Sequence, residues 1–313
     1  MAVRTEEAAR TRRTSGPATS RLVGNAADVV SALRPRHWVK NVLVLGAPLA
    51  AGSIIEPEVL GVSLLTFLAF GCAASSIYLV NDVRDRAVDV AHPWKRHRPI
   101  ASGRLAVRPA LVLAATLAAA ALGIAAAINA SLTAVVAAYL VVQFAYCLVF
   151  RSVPIVDIMI VASGFLLRAI AGGAATGIVL TRWFVAVVGF AALFAVAGKR
   201  YSEVVAEDRD RAVKRSLASV YTASYLRIVW STAMALAIAT YCLWAFERGA
   251  ASGEGLGWLA ASVLPFASGA LRYAQLIDAG SAEAPERVLL SDRLILACGV
   301  AWMLIFVLGN VLS

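Results

Sequence analysis

The chain has 313 residues, of which 60% are apolar and only 15% are charged, and its mean hydropathy is +0.77. A water-soluble domain of ordinary composition carries about 45–50% apolar and about 25% charged residues, so the composition excludes that class. The formal net charge is +10. In a membrane protein an excess of Lys and Arg reports topology, and we expect no nucleic-acid partner.

Nine segments are long and apolar enough to cross a bilayer, for which about 20 mostly apolar residues are needed. We therefore predict an all-α polytopic membrane protein with nine transmembrane helices, at roughly 36–55, 59–80, 107–128, 131–149, 154–175, 183–198, 228–246, 256–276 and 293–312. The first segment is the weakest, because its strictly apolar core runs only from Val42 to Ile55.

The N-terminal segment, residues 1–30, has almost no large apolar residue before Leu22 and is rich in Arg, Ala, Thr and Ser. Such a composition cannot bury enough apolar surface to fold by itself. We expect a disordered cytoplasmic tail over 1–30, followed by one transmembrane domain over 31–313.

The distribution of Lys and Arg predicts the orientation of the bundle. With the N-terminus inside, 26 of the 29 Lys and Arg residues fall in cytoplasmic segments, as the positive-inside rule requires. Nine spans then place the C-terminus outside. Long cytoplasmic segments follow both the second and the sixth span, which predicts two similar four-helix halves plus a ninth helix, with a site between the halves.

The first long cytoplasmic segment opens with the acidic run Asn81, Asp82, Asp85 and Asp89. Asn81, Asp85 and Asp89 are spaced four residues apart and should share one helical face, with Asp82 beside it. Carboxylates and an amide form an oxygen-only ligand set of the kind that Mg²⁺ prefers. No His or Cys is present in this run, which argues against zinc or copper.

A cationic loop follows the acidic run, and its two prolines, Pro93 and Pro99, forbid a continuous helix. Mg²⁺ held by the acidic residues and the cations of the loop would together neutralise the charge of a leaving diphosphate. The simpler interpretation is that basic residues here only mark topology, but three carboxylates oppose that trend and need a cation. The loop supplies four candidate substrate-binding cations, Lys95, Arg96, Arg98 and Arg104.

The motif Asn81-Asp82-x-x-Asp85 after the second span, with the Lys/Arg–Pro loop behind it, resembles the UbiA superfamily of intramembrane prenyltransferases over roughly residues 32–312. The resemblance implies a bundle around a lipid-accessible cavity, in which Mg²⁺ bridges the diphosphate of the donor. It also implies that Asn81, Asp82 and Asp85 hold the metal, and that Asp82 and Asp85 are the catalytic carboxylates.

The sequence departs from that superfamily after the sixth span, where a second acidic motif is expected. Two cations and a single carboxylate stand there instead, which suggests that this half binds an anion directly, such as a lipid monophosphate. An alternative is that the cations only anchor the helix end at the membrane surface, with an ion pair at i, i+4. The residues concerned are Lys199, Arg200, Tyr201 and Glu203.

Three strings, at 33–41, 78–103 and 197–203, resemble an actinobacterial branch of the superfamily. The resemblance implies a plasma-membrane enzyme that transfers 5-phosphoribosyl from phosphoribosyl diphosphate to decaprenyl phosphate, a step toward cell-wall arabinan. A phosphate is already a competent nucleophile, so electrostatics and positioning should dominate the catalysis.

Several further residues are candidates for contact with the substrates. Lys40 could reach a phosphate, and Tyr78 lies one turn before the acidic run. Asp157 and Arg168 are intramembrane charges, for which we expect a structural partner and a phosphate contact, respectively. Two more candidates, Tyr146 and Arg151, end the fourth span on the cytoplasmic side.

Two other functions share parts of this pattern. An aromatic prenyltransferase of quinone or haem biosynthesis has the same first motif but predicts an acidic second motif. A transporter with a cytoplasmic metal or anion site predicts mid-membrane charges in both halves, whereas Asp157 and Arg168 lie in one span. A homo-oligomer is compatible with the sequence.

Overall fold

The computed structural model describes residues 25–209, 221–251, 257–282 and 284–312. In these residues the regular elements are helices, and no strand is present. The α-helices are α1 (Ala26–Leu33), α2 (Gly46–Ala51), α3 (Pro57–Arg84), α4 (Arg86–Ala91), α5 (Val107–Ile128), α6 (Ala130–Leu148), α7 (Val156–Thr176), α8 (Arg182–Arg209), α9 (Ala223–Ala251), α10 (Trp258–Ala261), α11 (Val263–Asp278), α12 (Pro285–Ser291) and α13 (Arg293–Leu312), with 3₁₀ segments at Pro35–Leu45, Lys95–His97 and Phe150–Ser152.

Within the described ranges, six helices are long and apolar enough to span a membrane: α3, α5, α6, α7, and the parts Arg182–Ala206 of α8 and Ala223–Arg248 of α9. These six correspond to the second to seventh predicted spans, and the chain is a helical membrane protein. The eighth predicted span is divided at Ser262 between α10 and α11. The ninth corresponds to α13, whose apolar part Arg293–Leu308 is shorter.

The first predicted span is not a continuous α-helix. It consists of the 3₁₀ segment Pro35–Leu45 and the six-residue helix α2, which ends at Gly52 in the left-handed conformation. Pro35 and Pro48 lack the backbone N–H that a regular helix requires, which explains part of the irregularity. The segment packs against α3 and α7, so its polar backbone lies against protein, where irregular structure is tolerated at membrane depth.

Arg168 in α7 joins this irregular segment to the bundle through hydrogen bonds. Its guanidinium donates to the side chain of Asn41 at 2.8 Å, to the Gly164 carbonyl at 2.6 Å and to the Tyr139 hydroxyl at 2.9 Å, and it lies 4.8 Å from the centre of the Tyr139 ring. These contacts satisfy a buried arginine without a substrate. These contacts give Arg168 a structural role, and the phosphate contact that we predicted for it stays a prediction.

The two halves of the bundle repeat one packing arrangement. In the first half the most extensive helix contact joins α3 and α5, and in the second half it joins α8 and α9. Both α3 and α8 have 28 residues, and each carries one of the two polar motifs near its C-terminal end. Each half also has its own apolar core, one around Phe70 and Leu132 and the other around Phe194 and Leu226.

Helix α1 begins at Ala26, inside the segment predicted to be a disordered tail. Ala32 is buried, and Asp28 accepts a hydrogen bond from Arg104 at 2.7 Å. The prediction of disorder is therefore wrong for the end of that segment, because α1 finds partners on the folded bundle. Residues 1–24 of the predicted tail lie outside the described residues.

Replacing Gly172 by Ala is expected to destabilise the protein, because an added Cβ would lie 2.0 Å from the Val44 carbonyl oxygen. Backbone at this distance must shift, and overpacking of this kind costs about 1–3 kcal/mol. The matched control is Gly123→Ala in α5, where a Cβ meets nothing within 4 Å. We expect thermal unfolding in detergent to show a lower midpoint for Gly172→Ala only; equal midpoints would contradict the close packing.

Candidate functional site

The acidic run lies where α3 ends, and it divides into two pairs. The Asn81 amide donates to the Asp85 carboxylate at 3.2 Å. Asp82 and Asp89 instead share one partner, since Arg98 donates to them at 3.2 Å and 2.8 Å. Asp89 thus has a different side-chain partner from Asn81 and Asp85. Helix α3 ends at Arg84 and α4 begins at Arg86, but the backbone N–H groups of Asp85 and Asp89 still donate to the carbonyls of Asn81 and Asp85, both at 2.9 Å, so the four-residue spacing is kept.

Asp82 and Asp89 are both 2% exposed, and a buried carboxylate is tolerated only when it is paired and hydrogen-bonded. Arg34 supplies the second cation, with its guanidinium 2.5 Å from Asp82. Arg34 adopts the left-handed conformation at φ 53°, which is uncommon for a residue other than glycine. The sequence analysis missed Arg34, although its place directly before Pro35 in a basic string was a usable signal.

Asp85 is held from the other side by the end of α6. Arg151 donates to its carboxylate at 2.5 Å, and the Cys147 thiol lies 3.7 Å from the Asn81 side-chain oxygen. Burial works against the charge of Arg151, but the hydrogen bond that its guanidinium donates to Asp85 prevails and raises the pKa of Arg151. The predicted site residues Asn81, Asp85 and Arg151 are thus brought together.

The four cations of the loop do not share one environment. Only Arg98 turns inward to the acidic residues, whereas Arg104 binds Asp28 and donates to the His97 carbonyl at 2.9 Å. Lys95 and Arg96 are exposed. Of the four cations, Arg98 is thus the one whose side chain binds the acidic run in the described structure, and the substrate contacts predicted for the four stay a prediction.

A chamber of about 680 Å³ lies inside the bundle. Its walls are mostly apolar, and it extends along α8 from Lys199 to Val187, about 18 Å at the rise of an α-helix. Aromatic side chains, Tyr241, Trp244 and Trp302 among them, line the chamber; Trp302 donates to the Tyr241 hydroxyl at 2.7 Å. Four polar or charged residues predicted from sequence also line it, namely Lys40, Tyr146, Lys199 and Arg200.

The second motif supplies most of the charge in this chamber. Glu203 forms ion pairs with both cations, at 3.6 Å from Lys199 and 2.9 Å from Arg200. Arg200 also donates to the Tyr146 hydroxyl at 3.3 Å. Tyr201 points elsewhere: it is buried, and its hydroxyl contacts Arg227 at 2.7 Å and Asp278 at 3.3 Å. The partners of Tyr201 in the structure, Arg227 and Asp278, do not line the chamber, and its predicted substrate contact stays a prediction.

Asp157 has the structural partners that we expected for it. It is 3% exposed, and the Arg200 Nε lies 3.3 Å from its carboxylate. The Tyr221 hydroxyl donates to Asp157 and accepts from the Ile155 backbone N–H at 2.6 Å. Burial and the hydrogen bond to Asp157 raise the pKa of Tyr221 to about 12. Tyr221 thus stays protonated and holds Asp157 in place.

The remaining two candidates lie close to these groups. The ring of Tyr78 has the Arg34 guanidinium 5.3 Å from its centre and the His37 ring at 5.7 Å. The Lys40 ammonium lies 5.8 Å from the centre of the Phe165 ring. Tyr78 therefore borders the acidic pairs, whereas Lys40 borders the chamber.

The first motif fits a divalent cation by the chemistry of its donors. In the described part of the chain, no three His, Cys, Asp or Glu side chains converge as a ready-made metal cage. Mg²⁺ does not require one, because it is commonly bound through one or two carboxylates and completed by water and substrate phosphates. Asn81 and Asp85 are in contact and each carries a side-chain oxygen that suits Mg²⁺, while the Asp82 carboxylate is paired with Arg34 and Arg98.

These features define a membrane-embedded helical protein with a polar site at the helix ends beside an apolar chamber. The UbiA prenyltransferase family matches residues 42–298, and the chain belongs to this family. The chain is 42% identical over 290 residues to a decaprenyl-phosphate phosphoribosyltransferase of Corynebacterium glutamicum, covering 91% of this chain and 87% of the relative. It is 45% identical over 282 residues to one of Mycobacterium tuberculosis, covering 88% and 92%.

The fold is similar to that of a UbiA homologue from Archaeoglobus fulgidus, solved with DMAPP and Mg²⁺ bound. The TM-score is 0.68 at 18% sequence identity, and the match covers 91% of this chain and 98% of the other. The likeness establishes a shared UbiA fold for the bundle.

Tyr221→Phe is expected to change the alkaline stability profile. The raised pKa means that the folded state keeps the phenol proton after the unfolded chain has lost it, so wild-type stability falls as the pH rises from about 10 to about 12. The Phe variant lacks this contribution and should lose less stability over that range. Thermal midpoints from pH 9 to pH 12, with Tyr225→Phe as control, test this. Parallel curves for wild type and Tyr221→Phe would contradict it.

Proposed function

We propose that the protein transfers the 5-phosphoribosyl group of phosphoribosyl diphosphate to a polyprenyl phosphate, such as decaprenyl phosphate, and releases diphosphate. The observation that carries the proposal is that Lys199 and Arg200 line an apolar chamber. They stand where an acidic motif is expected in an enzyme that binds a prenyl diphosphate through a metal, and two cations suit a phosphate that is bound directly. The relatives named decaprenyl-phosphate phosphoribosyltransferase, at 42% and 45% identity, support the same assignment.

The acceptor binds in the chamber. An isoprenoid tail suits the apolar walls because its burial is favourable, and the phosphate lies at Lys199 and Arg200, with Lys40 also on the lining. Arg200 has a planar guanidinium that suits phosphate oxygens. The lipid phosphate is ionised at neutral pH, so these residues need only bind and orient it.

The donor binds at the first motif, on the other side of Tyr146 and Arg151. Asn81, Asp82 and Asp85 would hold Mg²⁺, which neutralises the charge of the departing diphosphate when it is bound. Arg98 and Arg151, which already contact these carboxylates, keep the acidic residues in place and add positive charge beside the diphosphate.

The reaction exchanges one bond at C1 of the ribose. The bond from C1 to the diphosphate oxygen breaks and the electron pair leaves with diphosphate, while an oxygen of the lipid phosphate forms the new bond from the opposite face. No general base is needed, because the attacking oxygen carries no proton. Positioning of two anions at adjacent cationic ends is the main contribution of the protein.

The proposal extends to topology and cellular role. The broken first segment, the pair α10 and α11, and α13 complete nine membrane crossings in the plasma membrane, with the N-terminus and the site cytoplasmic and the C-terminus outside. The excess of Lys and Arg on one side supports this orientation. The product would serve as a precursor of cell-wall arabinan.

The function is tested with purified full-length protein, Mg²⁺ and labelled phosphoribosyl diphosphate, with decaprenyl phosphate as acceptor. A matched reaction supplies polyprenyl diphosphate and 4-hydroxybenzoate, the substrates of an aromatic prenyltransferase. Label in the lipid fraction of the first reaction, with no prenylated aromatic product in the second, is the expected result. The reverse pattern would establish aromatic prenyl transfer instead.

Asp85→Ala is expected to lower kcat/KM by about 10²-fold or more, because it removes a carboxylate at the proposed metal site. Asp278→Ala is the matched control: its carboxylate is 55% exposed and pairs with Arg227, away from the first motif. Thermal midpoints should stay close to wild type in both variants. A wild-type rate for Asp85→Ala at limiting Mg²⁺ would remove Asp85 from the mechanism.

A further inference from the structure

Two carboxylates contact Arg200, and they differ in how firmly they are held. Asp157 has a side chain only 4% exposed, and it also accepts a hydrogen bond from Tyr221. The Glu203 side chain is 24% exposed. Its polar contacts in the described structure are with Lys199 and Arg200, one turn earlier in α8. Asp157 is therefore fixed by a second element, whereas Glu203 can swing outward.

Of the three cations that line the chamber in the described part of the chain, two, Lys199 and Arg200, contact Glu203, which does not line it. Glu203 lies four residues after Lys199 and three after Arg200 on the same helix. The charges of Lys199 and Arg200 are balanced by those of Asp157 and Glu203. An anion entering the chamber would compete with Glu203 for both cations and, if Glu203 stayed, would meet its negative charge.

We propose that Glu203 is an internal placeholder for the anionic headgroup, released from Lys199 and Arg200 when a phosphate-bearing amphiphile enters the chamber. Asp157 is the permanent counter-ion and a positioning residue, which keeps Arg200 aimed at the chamber in both states. The inference deepens the proposed function, on which it rests for the identity of the acceptor. It concerns the binding of the headgroup rather than the transfer step.

The placeholder has a clear physical advantage. Two neighbouring cations at the end of an apolar chamber would repel each other and carry uncompensated charge at low dielectric. A carboxylate on the same helix compensates them at little conformational cost, since i, i+3 and i, i+4 pairs are neighbours. Because such a pair contributes only about 0.2–1 kcal/mol when it is partly exposed, a phosphate can displace it.

The test measures binding without turnover. Full-length protein in detergent, in buffer with EDTA and without phosphoribosyl diphosphate, is titrated with tritiated farnesyl phosphate by scintillation proximity. Glu203→Gln removes the competing charge and keeps the side-chain shape, so we expect it to bind about three- to tenfold more tightly than wild type. Lys199→Gln should bind more weakly. Unlabelled farnesol, which lacks the phosphate, should compete equally in all variants.

Glu247→Gln is the matched control, because Glu247 forms an exposed pair with Arg182 far along the chain from the second motif. It should bind farnesyl phosphate like wild type. An equal or weaker affinity of Glu203→Gln, or the lack of saturable binding by wild type, would overturn the inference. The binding test contains no phosphoribosyl diphosphate. Its outcome therefore does not depend on whether the protein transfers phosphoribosyl in the assay described under the proposed function.

Discussion

Pairing of carboxylates with arginines at the polar end of an apolar bundle is the interaction on which the site depends. Arg98 joins Asp82 to Asp89, Arg151 binds Asp85, and Arg200 binds Asp157. Asp82, Asp89 and Asp157 are buried, so removing one of their arginine partners leaves an uncompensated charge, which costs about 3–5 kcal/mol. The pair of Asp85 with Arg151 is more exposed, and its loss costs much less. The pairs therefore tie elements that are distant in sequence to fixed positions.

The end of α6 connects the first motif to the second half of the molecule. Arg151 follows α6 and reaches Asp85 at the end of α3, and Tyr146 in α6 accepts from Arg200 in α8. The end of α6 thus lies between the first motif and the chamber. For the proposed reaction this arrangement is useful, because the two anionic substrates would bind on opposite sides of Tyr146 and Arg151 and so lie close to each other.

Much of the fold followed from the amino-acid sequence. Apolar length predicted the helices that became α3, α5, α6, α7, α8 and α9, because only helices satisfy the backbone inside a bilayer. The first predicted span was less accurate, since apolar composition does not distinguish a continuous helix from a 3₁₀ segment held by α3 and α7. Likewise, the helix α1 depends on contacts such as Asp28 with Arg104, which lie far apart along the chain.

The site was predictable in its residue types and less so in its geometry. Asn81, Asp85, Lys199 and Arg200 were identified from their motifs and Arg151 from its place at the end of the fourth span, and the structure brings them to the two polar clusters. Asp89 keeps the four-residue spacing from Asp85, but the spacing does not reveal that its carboxylate binds Arg98. Arg168 was assigned a phosphate because intramembrane charge indicates function, whereas its partners Asn41 and Tyr139 became neighbours only through folding.

The sequence by itself determined that the chain is a membrane-embedded helical bundle, that it carries an acidic and a cationic motif, and that it resembles one superfamily. These properties depend on composition and local spacing, which are visible along the chain. Tertiary structure alone decided which arginine binds a carboxylate of another segment, as Arg200 in α8 binds Asp157 in α7, and which cations face the chamber. Such choices arise where side chains from separate helices meet, at distances that no local pattern encodes.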